Sequence, residues 1–393
     1  MELSPNVASI QPSATIAVSS LAKRLMAEGR DILNLSTGEP DFDTPGWISD
    51  AAMQGIRDGR TRYTPSAGLP ELRAAIARFL STGSRTVEAA GVVVSSGAKQ
   101  ALFNACFSLF GPGDEVVVAT PYWTSYPEIV GLARATSVLA RGREADGFRL
   151  TPDDLDAVAT PATKGLIFSS PCNPTGVVYS RDELRAVAAW ARDRGVWLIS
   201  DEIYRHIYFG EGGEAPGLRD LSPTDLGPHV LIDGASKSFA MTGWRVGFSV
   251  TTPELAATLS AVQSHTTSNA ATPSQMAALA AYTDIGRTRE DVGRMREAFR
   301  RRRDLVVRLF DQKLPGLPYL RPDGAFYLFF RVDSLFDEGR ESAGAVCSWI
   351  LEEAGVAVVP GEAFGAPRFA RMSFAASDAQ LEEAVRRIAD LVG

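Results

Sequence analysis

The sequence predicts an α/β protein with a mostly parallel main sheet, joined to a smaller α+β unit. Between about residues 70 and 290, short runs of β-branched and apolar residues alternate with stretches of helical periodicity. The strand candidates are almost continuously apolar, as is typical of strands covered on both faces. After about residue 290 a long Arg-rich helical stretch leads into further strand candidates. The alternation of strands and helices predicts a main sheet with helices on both faces, and the different pattern after residue 290 predicts a second, smaller unit.

The main sheet is predicted from six short apolar runs, at residues 92–95, 115–119, 165–169, 196–200, 230–232 and 245–250. Helical periodicity separates several of them, most clearly at 99–110 and 181–194. Ser180 can cap the second of these helices, because Glu183 follows it at the spacing of a capping box. Gly195 can end the same helix.

The C-terminal stretch is predicted to form the smaller unit, from a helix at 287–310 and strands at 325–332, 356–359 and 368–375. The first 45 residues carry too little periodicity for a domain of their own, so we expect them to pack with this unit. We therefore divide the chain into an N-terminal segment 1–45, a large domain 46–290 and a small domain 291–393.

Composition excludes several classes of function. The chain of 393 residues has a net charge of -7, which argues against a nucleic-acid binder and against a partner at an anionic membrane surface. No run approaches the ~18 uncharged apolar residues of a membrane span. The N-terminus lacks the basic start and apolar run of an export signal, so we expect a cytoplasmic protein.

Cysteines and histidines are few and scattered, at Cys106, Cys172, Cys347, His206, His229 and His265. None has the spacing of a metal knuckle or a redox pair, so we expect no metal site. The pattern fits a reducing compartment.

Polar and aromatic residues follow five of the predicted strands. They are Ser96 to Lys99, Tyr122 and Trp123, Pro171 to Gly176, Asp201 to Tyr204, and Ser236 with Lys237. In open α/β sheets, ligands bind in the crevice beyond the carboxyl ends of the strands. We therefore expect these residues to converge on one site.

Lys237 stands out because the chain has only five lysines and this one lies in a turn of small residues after a buried strand. Such a lysine can have a depressed pKa, which supplies the neutral amine that a Schiff base requires. The alternative is an ordinary surface lysine in a loop.

Asp201 follows a buried apolar run, where a carboxylate is costly unless it has a partner. A protonated pyridine nitrogen, as in pyridoxal 5′-phosphate (PLP), is a suitable partner, and the pairing makes the ring an electron sink. A helix N-cap is the alternative. Tyr204, three residues after Asp201, can lie on the same face of the chain and donate its hydroxyl to the ring oxygen of PLP.

Three further positions suit anions. Gly97, Ala98 and Lys99 can place backbone N–H groups at a helix N-terminus, which is a phosphate site. Lys99 there opposes the helix dipole, a conflict that a bound anion relieves; the alternative is a tolerated exposed lysine. Arg245 begins an apolar run and Arg371 lies among aromatic residues, so each can hold an anion. The alternatives are a surface strand end for Arg245 and an edge-strand charge for Arg371.

With these residues the chain resembles the fold-type I, class I/II aminotransferases, in particular the bacterial branch of aspartate and prephenate aminotransferases. The resemblance spans nearly the whole chain. It rests on residues 35–42 (LSTGEPDF), 63–65 (YTP), 68–73 (GLPELR), 96–100 (SGAKQ), 121–123 (PYW), 173–176 (NPTG), 201–204 (DEIY), 236–239 (SKSF), 243–245 (GWR) and 360–361 (PG), and on Arg371. It implies a PLP-transferase fold with a seven-stranded large-domain sheet and a homodimer with shared active sites.

The resemblance implies a role for each cofactor residue. Lys237 is expected to bind PLP as a Schiff base and to shuttle a proton, and Asp201 to pair with the pyridine nitrogen. Tyr204 and Asn173 are expected to bond the ring oxygen, and Trp123 to stack on the ring.

The phosphate is expected to bind Ser236, Arg245 and the backbone of 97–99, while Tyr63 reaches the phosphate of the neighbouring subunit. Ala98 departs from the glycine that this branch often has, which matters little if only the backbone N–H is used. Cys172 beside Asn173 is a second departure, and nothing in the sequence explains it.

The implied substrate site consists of Gly38, Ser13, Lys99, Trp123, Asn173 and Arg371. Arg371 is expected to bind the α-carboxylate, whereas Lys99, assisted by Ser13, is associated with acidic side chains. The resemblance thus implies transfer of an amino group between L-aspartate or L-glutamate and a 2-oxo acid such as 2-oxoglutarate, by a ping-pong route through pyridoxamine phosphate.

Prephenate or a broader range of acceptors stays open, as does a β-lyase or oxidase on the same scaffold. A transcriptional regulator is disfavoured because the aminotransferase pattern begins near Leu35, and an inactive homologue because Lys237 and Asp201 are present.

Overall fold

The structure, a computed structural model, describes residues 4, 7, 10–83 and 85–393. Within these residues a seven-stranded sheet forms the centre of the molecule. Its strands, in order across the sheet, are Val92–Ser95, Gly247–Val250, His229–Gly234, Trp197–Asp201, Thr163–Ser169, Glu115–Thr120 and Thr136–Arg141.

The pairing in this sheet confirms the predicted fold class. Gly247–Val250 runs antiparallel to both of its neighbours, and the other strands pair in parallel. The strand Thr136–Arg141, at one edge of the sheet, is missing from the strand candidates. It is largely open to solvent and contains polar residues, so it lacks the continuous apolar run of the inner strands.

The apolar run predicts that a strand begins at Arg245, and this prediction is wrong. The strand begins at Gly247. Arg245 has a φ of 56°, in the left-handed region, which a β-strand does not permit. The residue therefore lies in the turn before the strand.

Helices cover both faces of the sheet. Across the described residues the α-helices are Ala14–Ala27, Gly46–Arg57, Pro70–Leu80, Ala98–Leu109, Ser125–Leu132, Pro152–Asp156, Arg181–Arg194, Ala235–Ser238, Pro253–Ser264, Thr272–Thr283, Ile285–Lys313, Ala343–Trp349 and Asp378–Val392. Alternate residues of one strand show the two faces: Val116 and Val118 pack in one apolar cluster and Val117 in another.

The predicted cap of Arg181–Arg194 is present. The Ser180 hydroxyl accepts from the Glu183 N–H, and the Glu183 carboxylate accepts from the Ser180 N–H. Gly195 ends the helix with a φ of 64°. This helix packs its buried face on the main sheet.

Beyond Ile285–Lys313 lies a second, antiparallel sheet of four strands, in the order Val359–Pro360, Phe369–Ser373, Tyr327–Arg331 and Tyr319–Leu320. The single strand predicted at 356–359 is instead two strands, because Val356–Ala357 pairs in parallel with Leu33–Asn34. The helix Ile285–Lys313 crosses residue 290. The division at 45 and 290 stays a prediction.

No helix among the described residues is long and apolar enough to cross a membrane. The same residues contain no group of three or more His, Cys, Asp or Glu side chains placed to hold a metal ion.

Candidate active site

A cavity of about 510 Å³ opens where the parallel strands end. Most of the predicted site residues line it, namely Gly38, Ala98, Lys99, Trp123, Asn173, Asp201, Tyr204, Ser236, Lys237, Arg245 and Arg371. The convergence follows from the sheet, because the carboxyl ends of parallel strands meet at one edge.

Three predicted residues do not line the cavity. Gly97 immediately precedes Ala98, Tyr63 is 92% exposed on the surface, and Ser13 is half-buried. The Ser13 hydroxyl lies 3.1 Å from that of Thr15, which does line the cavity.

Lys237 lies in the single turn Ala235–Ser238 that follows a buried strand. Its Nζ donates to the Gly38 carbonyl oxygen at 2.5 Å. Burial, together with the cations Arg245 and Arg371, lowers the pKa of Lys237 to about 8, although the carboxylates Glu39 and Asp201 oppose the fall. The surroundings therefore increase the neutral fraction of this amine.

Asp201 ends the strand Trp197–Asp201 and is 5% exposed. Its carboxylate accepts from the Tyr126 hydroxyl at 2.7 Å and from the Ile203 N–H at 3.2 Å. Burial raises the pKa of Asp201 to about 6, although the Tyr126 bond opposes the rise. Asp201 does not cap a helix, because turns and not a helix follow it.

Tyr204 and Tyr327 place their hydroxyl oxygens 2.7 Å apart, and burial raises the pKa of both phenols. Sequence analysis missed Tyr327 and Tyr126 as members of this site. Tyr126 lies three residues after Trp123 on the helix Ser125–Leu132, a spacing that could have pointed to it.

Arg371 is 1% exposed, in a strand that pairs on both sides rather than at a sheet edge. Its Nη1 donates to Asn173 Oδ1 at 2.8 Å and its Nη2 to the Ser36 carbonyl at 2.7 Å. The guanidinium lies 4.3 Å from the centre of the Tyr327 ring. Its Nε is buried without a hydrogen-bond partner in the part of the chain that is described, so the group can still bind an acceptor.

The opposite end of the cavity is suited to a phosphate. Gly97 has a φ of 90° and precedes the helix Ala98–Leu109, whose first N–H groups have no acceptor within the helix. Arg245 lies directly against Gly97, so that a β-carbon there would collide with its guanidinium. Lys99 lies 5.0 Å from the Trp123 ring centre, at the cavity wall.

The cavity carries more positive than negative charge, since Lys99, Lys237, Arg245 and Arg371 face only the carboxylates Glu39 and Asp201. It therefore favours an anionic ligand. A larger cavity of about 750 Å³ lies elsewhere. Its wall contains Arg149, which bonds Glu183 at 2.7 Å, and Arg205, which bonds Asp220 at 2.9 Å. These charges are already paired.

The chain belongs to the aminotransferase class I and II family, whose sequence pattern matches residues 30–388. It is 42% identical to the aspartate aminotransferase of Geobacillus stearothermophilus, covering 99% of this chain and 98% of the relative. It is also 42% identical to the aspartate/prephenate aminotransferase of Cereibacter sphaeroides, over 98% of this chain and 97% of the relative. The structure of Thermus thermophilus aspartate aminotransferase with maleate aligns over 100% of both chains, with a TM-score of 0.92 at 39% identity.

The family uses PLP, and this chain is a PLP-dependent aminotransferase. The cavity fits the cofactor. A buried carboxylate at Asp201 suits the pyridinium, a half-buried amine of lowered pKa at Lys237 suits the aldehyde, and a helix N-terminus beside Arg245 suits the phosphate.

A further buried acid, Asp233, lies two residues before the turn that carries Lys237. Its Oδ1 accepts from the Gly234 N–H at 2.7 Å. Burial, together with the carboxylates Glu202 and Asp201, raises the pKa of Asp233 to about 8, although Arg205 opposes the rise. The folded chain thus binds this proton more tightly than the unfolded chain, whose carboxyl has a pKa of about 4.

The stabilisation from this proton is complete below pH ~4 and is lost as the pH rises to about 8. Asp233→Asn, which stays neutral, should reduce the fall in melting temperature between pH 5 and pH 8. We expect a reduction of at least ~2–4 °C, the effect of about 1 kcal/mol in a large domain. Thermal unfolding of the cofactor-free protein measures it, with exposed Asp193→Asn as control. Parallel curves for wild type and Asp233→Asn would contradict the prediction.

Proposed function

We propose that this enzyme transfers an amino group between L-aspartate or L-glutamate and a 2-oxo acid such as 2-oxoglutarate, with PLP as the carrier of the group. One observation carries the proposal. The half-buried Lys237 amine, the buried Asp201 carboxylate and the buried Arg371 guanidinium face one cavity of about 510 Å³. The similarity to the aspartate aminotransferases of Geobacillus stearothermophilus and Thermus thermophilus supports the choice of aspartate.

Bound PLP supplies an electron sink for the bonds at the substrate Cα. Lys237 would hold the cofactor through its Nζ, and the same nitrogen, when free, would carry the proton to and from the substrate Cα. A pKa lowered to about 8 leaves a fraction of this amine neutral near pH 7, as a general base requires. Asp201, which accepts from Tyr126, would also accept from the pyridine N–H and would keep that nitrogen protonated.

Two donors in the cavity wall, the Tyr204 hydroxyl and the Asn173 amide, would hold the ring oxygen of the cofactor. Because Asn173 Oδ1 accepts from Arg371, its NH₂ group is left to donate. Trp123 stacks on the ring. Ser236, Arg245 and the backbone N–H groups of 97–99 hold the phosphate.

Arg371 binds the α-carboxylate of the substrate with the Gly38 amide, which leaves the substrate side chain to Lys99, assisted by Ser13. A bidentate pair between a fixed guanidinium and a carboxylate sets orientation as well as affinity. A second acceptor, prephenate, is supported by the name of the relative from Cereibacter sphaeroides.

The direct test is the near-visible absorption spectrum with L-aspartate and no acceptor. We expect the yellow band of the bound cofactor to disappear and to return with 2-oxoglutarate. Lys237→Ala should abolish turnover while circular dichroism shows an intact fold, because the amine is functional rather than core-filling. Turnover in Lys237→Ala would contradict the mechanism. Release of pyruvate or ammonia without acceptor would favour a lyase or an oxidase.

Lys99→Ala should lower kcat/KM for aspartate and glutamate by roughly 10- to 100-fold, since a hydrogen bond to a charged group contributes ~1.5–3 kcal/mol. Alanine as donor should be affected much less, because its side chain bears no carboxylate. Steady-state kinetics with the three donors measure the difference, and Lys164→Ala, on the strand Thr163–Ser169 of the main sheet, is the control. An equal loss with all donors would contradict the assignment.

We also propose a homodimer in which Tyr63 reaches the phosphate of the partner's site. The 92% exposure of this aromatic side chain supports it. Tyr63→Phe should raise the dissociation constant for PLP about tenfold, the effect of one hydrogen bond to a charged group. Mixed dimers of Tyr63→Phe with Lys237→Ala contain one intact site and should regain tight binding there. Sedimentation at the mass of one chain would exclude the shared site.

A cytoplasmic location completes the proposal. The cysteines Cys106, Cys172 and Cys347 are all unpaired, as is usual in reducing compartments. The net charge of -7 supports small-molecule substrates rather than nucleic acid.

A further inference from the structure

Tyr327 touches two side chains to which different tasks are proposed. It lies at the start of the strand Tyr327–Arg331, is 0% exposed and lines the cavity. Its hydroxyl oxygen is 2.7 Å from that of Tyr204, which faces the cofactor. Its ring lies 4.3 Å from the guanidinium of Arg371, which faces the substrate carboxylate. Tyr327 is thus a direct physical link between the two subsites, beside Asn173, which accepts from Arg371 at 2.8 Å and is also assigned to the ring oxygen.

The direction of the hydroxyl bond follows from counting hydrogens. A phenol has one hydrogen to donate. If Tyr204 donates its hydrogen to the cofactor's ring oxygen, it must accept from Tyr327. Tyr327 is suited to donate, because the cation of Arg371 over its ring lowers the pKa of this phenol against the effect of burial.

We propose that Tyr327 is a positioning residue that transmits the occupancy of Arg371 by a substrate carboxylate to the hydroxyl of Tyr204. The proposal rests on the roles of Arg371 and Tyr204 in the proposed function. Tyr327 itself touches neither the cofactor's reacting atoms nor the scissile bond in this scheme.

The transmission is electrostatic. A carboxylate on Arg371 offsets the guanidinium charge, so the Tyr327 hydroxyl becomes less acidic and donates less strongly to Tyr204. Tyr204 in turn becomes a weaker donor to the ring oxygen, because hydrogen bonds in a chain polarise one another. Substrate binding would then raise the pH at which the bound cofactor loses its proton.

Other charges face the two phenols and remain in place when Tyr327 is changed. Lys237 Nζ lies 6.0 Å from the Tyr204 ring centre, and Asp201 also acts on this phenol. Glu39 acts on Tyr327 from the cavity wall. These groups contribute to the pH midpoint of the cofactor band before substrate binds. Tyr327 is proposed to contribute part of the change in that midpoint when a carboxylate binds to Arg371.

The experiment is a pH titration of the absorption band of the bound cofactor, with and without maleate, a dicarboxylate that has no amino group to react. Tyr327→Phe keeps the ring under Arg371 and removes the hydroxyl. We expect its midpoint without maleate to rise by about 0.5–1 pH unit, the size that one hydrogen bond gives to a pKa. The further rise caused by maleate should shrink relative to wild type.

A double-mutant cycle separates transmission from general damage. In a Tyr204→Phe background, Tyr327→Phe should no longer change the maleate-induced shift. Tyr179→Phe is the matched control, because Tyr179 is also buried but its hydroxyl bonds Leu150 outside the cavity. This control should titrate as wild type does.

Each outcome decides a different point. An undiminished maleate shift in Tyr327→Phe, or an equal loss in both backgrounds, would overturn the transmission through Tyr204. A wild-type spectrum that ignores maleate at every pH would instead overturn the proposed dicarboxylate site. The affinity for maleate, measured in the same titration, distinguishes a failure of the transmission from a failure of the dicarboxylate site, because only the second abolishes maleate binding.

Discussion

The hydrogen bonds of the buried Arg371 guanidinium hold together the parts of the chain that form the site. A charge that is 1% exposed is costly unless its donors have acceptors. Here the acceptors come from Ser36, near the N-terminus, and from Asn173, beyond a strand of the main sheet. Three segments far apart in sequence must therefore meet for this cation to be satisfied. The proposed carboxylate site at Arg371 and the docking of these segments therefore depend on the same hydrogen bonds.

Burial acts on the two key charges of the cavity in opposite directions. It lowers the pKa of Lys237 to about 8 and raises the pKa of Asp201 to about 6, because in each case it penalises the charged form. The protein alone offers these groups too little compensation. A ligand that brings an electrophilic carbon to the amine and a cationic nitrogen to the carboxylate supplies what both lack. Electrostatic incompleteness of this kind is characteristic of functional sites.

The residues of the candidate site that could be predicted from the sequence are those that follow a recognisable apolar run. Lys237 and Asp201 each follow a buried apolar run, so the strand ends alone place them at one crevice. Tyr327 gives no such signal, because it is the first residue of a strand of the smaller sheet and reaches the cavity only through packing of that sheet. Arg245 was assigned to a strand since its neighbours are apolar, and its left-handed backbone is invisible in sequence.

The edge strand Thr136–Arg141 and the position of Ser13 show the same limit. A half-exposed strand has no continuous apolar run, and a residue outside regular structure has no periodicity to place it. The role expected of Tyr63 depends on a contact with a second chain. The role expected of Ser13 depends on a contact with the substrate, although Ser13 itself does not line the cavity.

The pairing of Leu33–Asn34 with Val356–Ala357 has a consequence for synthesis on the ribosome. Every strand of the main sheet leaves the ribosome before residue 356 is made, so that sheet can form while the early strand still waits for its partner. The waiting strand leads directly into Ser36 and Gly38. The main sheet can thus be complete before the segment around Ser36 and Gly38 is fixed, because its partner strand is made only when translation is almost finished.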